Sequence, residues 1–185
     1  MIKSRKVIGI VGKAGSGKSY LANTLSKKFE RVFLIDSDKD FDGYVCFNFK
    51  QVKKFFDVFG YTNEKPFRIV CRFEDENEID KIFEFSWSLE NCIIVADEFE
   101  YFIQHETKNF HRVMFQGRHR QVSMIVIGQR FVQFPAELRS TFTTVISFQQ
   151  SEPLDLQRAL NYGFNIEELQ KVEQYKYLFV GEEIT

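Results

Sequence analysis

Short runs of apolar residues alternate along the chain with longer stretches in which apolar residues recur every three or four positions. The short runs predict strands and the longer stretches predict helices. The predicted strands are residues 7–11, 31–36, 44–49, 67–73, 92–96, 123–128, 143–148 and 177–180. The predicted helices are residues 18–29, 51–59, 79–89, 110–120, 153–160 and 166–174, with a shorter helix after Pro135.

Several predicted strands are continuously apolar, as strands buried on both faces are. Residues 92–96 (CIIVA) and 123–128 (SMIVIG) are the clearest cases. Strands that alternate with helices are typical of a mainly parallel sheet covered on both faces. We therefore predict a three-layer α/β fold. A chain of 185 residues with no linker and no internal repeat is predicted to form one domain, residues 1–185.

Composition narrows the class of protein. Hydrophobic residues make up 44% of the chain and charged residues 28%, which is typical of a globular protein. We expect no membrane segment and no signal peptide, because the apolar runs are too short. Three cysteines without metal-binding spacing favour a reducing, cytoplasmic setting. The net charge of -1 means that any contact with a polyanion must use a local basic patch.

Residues 12–19 (GKAGSGKS) match the phosphate-binding pattern G-x-x-x-x-G-K-[ST] between a predicted strand and a predicted helix. Glycines let the backbone turn its N–H groups toward phosphate oxygens, Lys18 supplies charge to the β- and γ-phosphates, and Ser19 offers a hydroxyl to Mg²⁺. The alternative is a flexible glycine-rich turn. The residues predicted to hold the nucleotide are Gly12, Lys13, Ala14, Gly15, Ser16, Gly17, Lys18, Ser19 and Tyr20.

Two acidic residues, Asp97 and Glu98, follow the buried strand at residues 92–96. Carboxylates at the end of such a strand face the crevice where ligands bind in open α/β sheets. Asp97 is predicted to hold Mg²⁺, and Glu98 to act as the general base that activates the attacking water. The alternative is an acidic turn without a chemical role.

Gln129 ends the strand at residues 123–128, which we expect to lie between the strand that carries the phosphate loop and the strand that carries Asp97. There it could orient the attacking water, although a Gln can also simply cap a strand. Arg118 and Arg120 precede the same strand. Either could stabilise charge on a neighbouring subunit's γ-phosphate as an arginine finger. The alternatives are a solvated basic face or contacts with nucleic-acid phosphates.

The motifs occur in the order GKAGSGKS, LIDSDKD, CIIVADE, GRHRQVSMIVIGQRFVQFPAELRS and TTVISFQ. In this order they resemble the FtsK–HerA superfamily of P-loop ATPases. Within that superfamily, the motifs most resemble those of small viral genome-packaging ATPases and of the zonular-occludens-toxin-like proteins of filamentous phages. The resemblance covers residues 6–150, which it identifies as the core of a three-layer P-loop NTPase with a mainly parallel central sheet. Residues 151–185 would add helices and a strand to that core.

The resemblance implies an oligomeric motor that hydrolyses Mg-ATP at subunit interfaces and translocates double-stranded DNA, as in viral genome packaging. ATP and Mg²⁺ would be the cofactors. The partners would be further copies of the chain, DNA, and a capsid or portal component, in the host cytoplasm or the virion. By the same likeness, the catalytic-site positions are Lys18, Ser19, Asp97, Glu98 and Gln129, with Arg118 or Arg120 as the finger.

Two other functions remain open at this stage. A nucleotide or small-molecule kinase can also be a short P-loop chain, but it would need an acceptor pocket and no water-activating Glu. A binding-only module with a structural ATP site is the other alternative. Turnover separates these possibilities, because a motor hydrolyses ATP in response to DNA whereas a kinase passes the phosphate to a second substrate.

The chain has 22 Phe, an unusual number for its length. Such a high phenylalanine content indicates either a core packed with Phe side chains or aromatic patches at the surface. Five aromatic residues cluster after the acidic pair. They are Phe99, Tyr101, Phe102, Phe110 and Phe115. We predict that some of them lie at a subunit interface next to the ATP site.

Overall fold

The computed structural model describes residues 4–36, 40–60, 65–98 and 107–183. Its strands form one eight-stranded sheet in the order β3-β4-β2-β5-β6-β1-β7-β8. The strands are β1 Val7–Val11, β2 Arg31–Ile35, β3 Tyr44–Cys46, β4 Phe67–Cys71, β5 Ile93–Ala96, β6 Ser123–Gly128, β7 Thr144–Ser147 and β8 Leu178–Gly181. All neighbouring pairs are parallel except β7 and β8, which are antiparallel. The prediction of a mainly parallel α/β sheet is confirmed.

The α-helices are α1 Lys18–Ser26, α2 Phe49–Phe59, α3 Glu76–Leu89, α4 Lys108–Gln116, α5 Pro153–Leu160 and α6 Ile166–Gln170. Shorter 3₁₀ turns occupy Gly117–Arg120, Phe131–Gln133 and Ala136–Thr141. Within the described ranges, no helix combines the length and the apolar character needed to cross a bilayer.

Helices cover both faces of the sheet. Alternate residues of β1 point to opposite faces, as the two-residue period of a strand requires. Ile8 and Ile10 pack with Leu21 and Leu25 of α1 in one core cluster. Val7 belongs to the other cluster, with buried side chains from α2 to α6. The sheet therefore has one layer of helix on each side, as predicted.

Most of the described phenylalanines are part of the core rather than of a surface. Phe33 on β2 packs against Phe67 with ring centroids 4.8 Å apart, and Phe56 packs edge-on against Phe85 at 5.2 Å. Such tilted and edge-on pairs add roughly 0.5–1.5 kcal/mol each beyond the apolar area that they bury. The high phenylalanine content of the sequence is thus largely explained by the core cluster between the sheet and helices α2 to α6.

Two of the five aromatics in the interface prediction lie in the described part of the chain, and they differ in burial. Phe110 is completely buried and packs edge-on against Phe83, because α4 turns this ring into the core, so it is not one of the aromatics that could lie at an interface. Phe115, one helical turn and a residue later, is 41% exposed. Residues 99, 101 and 102 lie outside the described residues. Among the described residues, the interface prediction therefore concerns Phe115.

Some predicted elements end earlier than their patterns suggested. The helix predicted over residues 110–120 is α4 up to Gln116 and then a 3₁₀ turn. Arg5 provides the reason, because its guanidinium donates to the carbonyl oxygens of Val113 and Met114 at 2.8 and 2.6 Å. These carbonyls at the end of the helix are satisfied by a side chain instead of a further helical turn.

Candidate nucleotide-binding site

The carboxyl ends of β1, β5 and β6 meet at a cleft of about 140 Å³. Because β6 lies between β5 and β1, the expected position of the strand that carries Gln129 is confirmed. The cleft is lined by Ala14, Gly15, Lys18, Ser19, Asp40, Asp97, Glu98, Ile127, Gly128 and Gln129. Most of the predicted site residues therefore come together at one edge of the sheet, the usual place for a ligand in such folds.

The loop between β1 and α1 has the backbone that its glycines permit. Gly17 caps α1 with a φ of 99°, in the left-handed region that side chains disfavour. At Gly12 the limit is space, since an added Cβ would lie 2.7 Å from Ser16 Oγ and 2.8 Å from Phe148 Cβ. Lys18 Nζ donates to the carbonyl oxygen of Lys13 at 2.8 Å, across the loop. The loop is therefore a compact turn at the positive end of a helix, which suits an anion.

Ser19 and Asp97 meet at the base of the cleft. The hydroxyl of Ser19 lies 3.3 Å from Oδ2 of Asp97, which is 7% exposed at the end of β5. A hydroxyl oxygen and a carboxylate oxygen at this separation are the hard ligands that Mg²⁺ takes in phosphate sites. The two residues that the sequence assigned to the metal thus fit a shared ion, although they come from positions 19 and 97 of the chain.

Glu98 lies at the rim of the cleft in a strained backbone conformation. Its φ is 49°, which is uncommon for a residue with a side chain. Its N–H donates to Oδ1 of Asp97 at 3.0 Å, so this bond helps to hold the conformation. The Glu98 side chain is exposed and lines the same cleft as Lys18. Strain of this kind is frequent where a side chain must point at a substrate.

Asp40, a further acidic residue of the cleft lining, was not among the predicted site residues. Its N–H donates to Oδ1 of the buried Asp36 at 2.8 Å. Asp36 is in turn paired with Arg72, whose Nε lies 2.9 Å from Oδ2. Arg72 directly follows β4, on the far side of β2, and therefore holds the carboxylate to which the Asp40 backbone is bonded. The sequence did contain a signal for Asp40. It belongs to the acidic run DSDKD, residues 36–40, which follows the second predicted strand just as Asp97 and Glu98 follow a later one.

Gln129 is exposed and borders the cleft directly after β6. The next residue is fixed to the carboxyl-terminal part of the chain. Nε of Arg130 donates to the buried Asp155 of α5 at 2.8 Å, and the other oxygen of Asp155 accepts from the N–H of Val132 at 3.1 Å. This hydrogen bond raises the pKa of Arg130 above its usual value. The loop after Gln129 is thus attached to α5.

The two predicted finger residues do not reach this cleft. Arg118 and Arg120 belong to the 3₁₀ turn that precedes β6, at the amino edge of the sheet, and both are exposed. Arg120 pairs with Glu90, which precedes β5 at the same edge. Burial lowers the pKa of the nearby Arg5, and the positive charge of Arg118 lowers it further. Within one chain, these arginines are separated from Lys18 by the length of the strands.

Solved structures of similar fold include a viral genome packaging NTPase and a conjugation coupling protein. The genome packaging NTPase B204 from Sulfolobus turreted icosahedral virus 2, in complex with sulfate, is 19% identical with a TM-score of 0.75 over 97% of this chain and 92% of that one. Its complex with ATP-gammaS is 18% identical and has a TM-score of 0.74 over 97% and 93%. The pCW3 conjugation coupling protein TcpA is 12% identical, with a TM-score of 0.62 over 95% of this chain and 57% of that one.

The three-layer P-loop fold that the resemblance implied is confirmed by this similarity. No curated protein sequence matches the chain. The profile of the poxvirus A32 protein family, however, matches residues 1–172, which is nearly the whole chain. The chain therefore belongs to the poxvirus A32 protein family.

Proposed function

We propose that this protein is an oligomeric motor that hydrolyses Mg-ATP and translocates double-stranded DNA during viral genome packaging. The observation that carries the proposal is the 3.3 Å contact between Ser19 and Asp97, because it joins the phosphate loop to the acidic pair at the end of β5. The proposal assigns this function to residues 1–185 as one domain. It places the protein in the host cytoplasm or the virion.

In this proposal, the loop at residues 12–19 and the start of α1 hold the triphosphate, with Tyr20 directly after the loop. Lys18 neutralises the β- and γ-phosphates, and Ser19 and Asp97 hold Mg²⁺. Bound there, Mg²⁺ would neutralise charge that develops on the phosphate oxygens during transfer. The fit of the site to an ATP-type ligand is supported by the similar fold of B204, which was solved with ATP-gammaS.

Hydrolysis requires a base and a correctly placed water. Glu98 accepts the proton of the attacking water from the rim of the cleft, and Gln129 orients that water from the neighbouring strand end. A base that acts on water favours hydrolysis over transfer of phosphate to a second substrate. The cleft thus offers a separate group for each part of the reaction.

The position of the arginines supports an assembly in which subunits share active sites. Arg118 or Arg120, at the amino edge of one sheet, would complete the cleft of the next copy in a ring. In such a ring the chain itself is the first partner, and a capsid or portal component would anchor the ring to the virus particle.

DNA would pass through the ring and contact a few basic residues from each subunit. Because the net charge is -1, such binding depends on local positive charge and on assembly. We expect it to be independent of DNA sequence and to weaken steeply with added salt, since each phosphate contact releases counterions.

The test is the rate of ATP hydrolysis with and without double-stranded DNA, alongside the mass of the protein in solution. We expect hydrolysis that DNA stimulates and an oligomer that ATP promotes. Transfer of the γ-phosphate to a nucleotide or metabolite, or a strict monomer with full hydrolysis, would contradict the motor.

A further inference from the structure

A tight turn near the end of the chain holds a tyrosine in an unfavourable backbone conformation. Residues 173–176 form the turn, which is closed by a hydrogen bond from the N–H of Lys176 to the carbonyl oxygen of Glu173 at 3.0 Å. Tyr175 occupies the third position with a φ of 64°. That position of the turn favours Gly or Asn. The fold therefore keeps an aromatic ring at a place where glycine would be the more stable choice.

The ring of Tyr175 lies beside the phosphate loop. A Cβ placed on Gly17 would be 3.4 Å from Cδ1 of Tyr175 and 3.8 Å from Cε1 of Phe148. Phe148 is 3% exposed, and Tyr177 packs edge-on against it with ring centroids 5.9 Å apart. Phe148 and Tyr177 therefore support the turn, whereas Tyr175 itself is 65% exposed. The exposed ring adds little to the core.

A second exposed ring lies on the same side of the loop. Tyr20 is 79% exposed, and it follows Gly17 by three residues in α1. Residues three apart share a face of a helix, so Tyr20 lies on the face that Tyr175 approaches at Gly17. Two exposed aromatic side chains thus border the start of α1.

The order of the strands indicates at which end of the triphosphate these two rings lie. Glu98 and Gln129 follow β5 and β6, on one side of β1, so the γ-phosphate belongs there. The chain after β7, including Phe148, lies on the other side of β1. The end of the nucleotide that carries the base must extend away from the γ-phosphate, and therefore toward this second side.

We infer that Tyr175 is the platform on which the base of the bound nucleotide stacks, with Tyr20 bordering the same slot. The inference rests on the proposed function, since it concerns the same triphosphate. Stacking on an aromatic ring tolerates any base, because every base has a π-face. It also explains why a tyrosine remains at a position of positive φ, since strain persists where the side chain serves a ligand.

The experiment compares the binding of Mg-ATP with that of inorganic tripolyphosphate, which has the phosphates but no base, by titration calorimetry. We expect Tyr175→Gly to weaken ATP binding on the order of ten- to a hundredfold, the range for loss of one stacked base. Its affinity for tripolyphosphate should not change. Its thermal unfolding temperature should equal or exceed that of the wild type, because glycine accepts the positive φ.

Two further variants serve as controls. Tyr175→Phe keeps the ring and should bind ATP like the wild type. Tyr44→Ala removes another exposed ring from β3, at the far edge of the sheet, and should also bind ATP normally. Unchanged ATP binding by Tyr175→Gly, or an equal loss of ATP and tripolyphosphate, would overturn the stacking role. A wild-type protein that binds neither ligand would overturn the proposed function as well.

Discussion

Lys18 and Arg118 lie at opposite ends of the parallel strands at the centre of the sheet. Lys18 begins the helix that follows the carboxyl end of β1, whereas Arg118 lies in the turn before the amino end of β6, which pairs in parallel with β1. Arg118 therefore cannot contact a nucleotide held by its own Lys18. If Arg118 has a role in catalysis, it must serve the cleft of another copy.

Mixing two inactive variants tests this role. Arg118→Ala should bind ATP but lose hydrolysis, and Glu98→Gln should do the same for a different reason. Mixed together, they should regain part of the activity, because a Glu98→Gln subunit can offer its intact arginine to the intact cleft of an Arg118→Ala neighbour. ATP turnover of the mixture, with co-assembly checked by mass, measures this. Activity no higher than that of either variant alone would exclude Arg118 as the shared residue.

Arg112→Ala is a matched control for the mixing experiment. Arg112 is an exposed arginine on α4 near the same edge, and its guanidinium lies 4.0 Å from the ring centroid of Trp87. Its loss should leave most of the hydrolysis intact, because this contact is with the chain's own tryptophan.

Lys18→Ala should abolish hydrolysis and weaken ATP binding without unfolding the chain. The side chain reaches across the loop and lines the cleft, so its removal takes away charge at the phosphates and leaves the core as it was. A loss of at least about a hundredfold in turnover is typical for removal of one group that stabilises transition-state charge. Circular dichroism and ATPase assays on the same preparation check both parts, and wild-type turnover by the folded variant would refute the assignment.

Substitutions of Asp97 and of Glu98 should impair ATP hydrolysis in two different ways. Glu98→Gln should bind Mg-ATP and hydrolyse it about 10²–10⁴-fold more slowly, since a general base contributes a factor of this size. Asp97→Asn should instead shift the Mg²⁺ concentration needed for half-maximal activity to higher values, because Asp97 meets Ser19 at the expected ion position. Steady-state rates across a Mg²⁺ series distinguish the two. A Glu98→Gln variant with more than about a tenth of the normal rate would show that another residue is the base.

The three buried cysteines predict how the stability of the fold depends on pH. Burial raises the pKa of Cys46 to about 11 and that of Cys92 to about 12, and it also raises the pKa of Cys71. The folded chain therefore keeps thiol protons that the unfolded chain loses above pH 9.0, the ordinary value. Because the folded state then binds more protons than the unfolded state, stability should fall as the pH rises from about 9 toward 11.

Urea unfolding at a series of pH values measures this fall. A Cys92→Ala variant should show a shallower fall than the wild type, at the cost of a lower starting stability. In the native protein at pH 8, a thiol reagent should modify these side chains much more slowly than in the unfolded chain, because thiolate is the reactive form. Stability that is flat across this pH range would contradict the burial of the thiols.

The sequence predicted the sheet and the centre of the site because both depend on local patterns. Continuous apolar runs mark buried strands, and the phosphate loop and acidic pair directly follow two of them. Parallel pairing then brings Ser19 and Asp97 together without further information. The position of β6 between β5 and β1 was expected for a three-layer sheet of this kind, and the structure agrees with it.

Other features depend on contacts between residues that are distant in the chain. Nothing near Asp155 indicates that its carboxylate binds Arg130, and nothing near Asp36 indicates Arg72. The end of α4 depends on Arg5, more than 100 residues earlier. Tyr175 was missed for a different reason, since a turn with positive φ is normally recognised by Gly or Asn, and neither occupies that position.

Asp155 links chemistry at the cleft to the outer part of the molecule. Its carboxylate is 1% exposed and accepts from both the side chain of Arg130 and the backbone of Val132. A buried carboxylate that loses such partners is strongly destabilised, so the segment after Gln129 and helix α5 must move as one unit. In the proposed reaction Gln129 orients the attacking water, so a displacement of this segment at the cleft would carry α5 with it and change the surface that α5 presents.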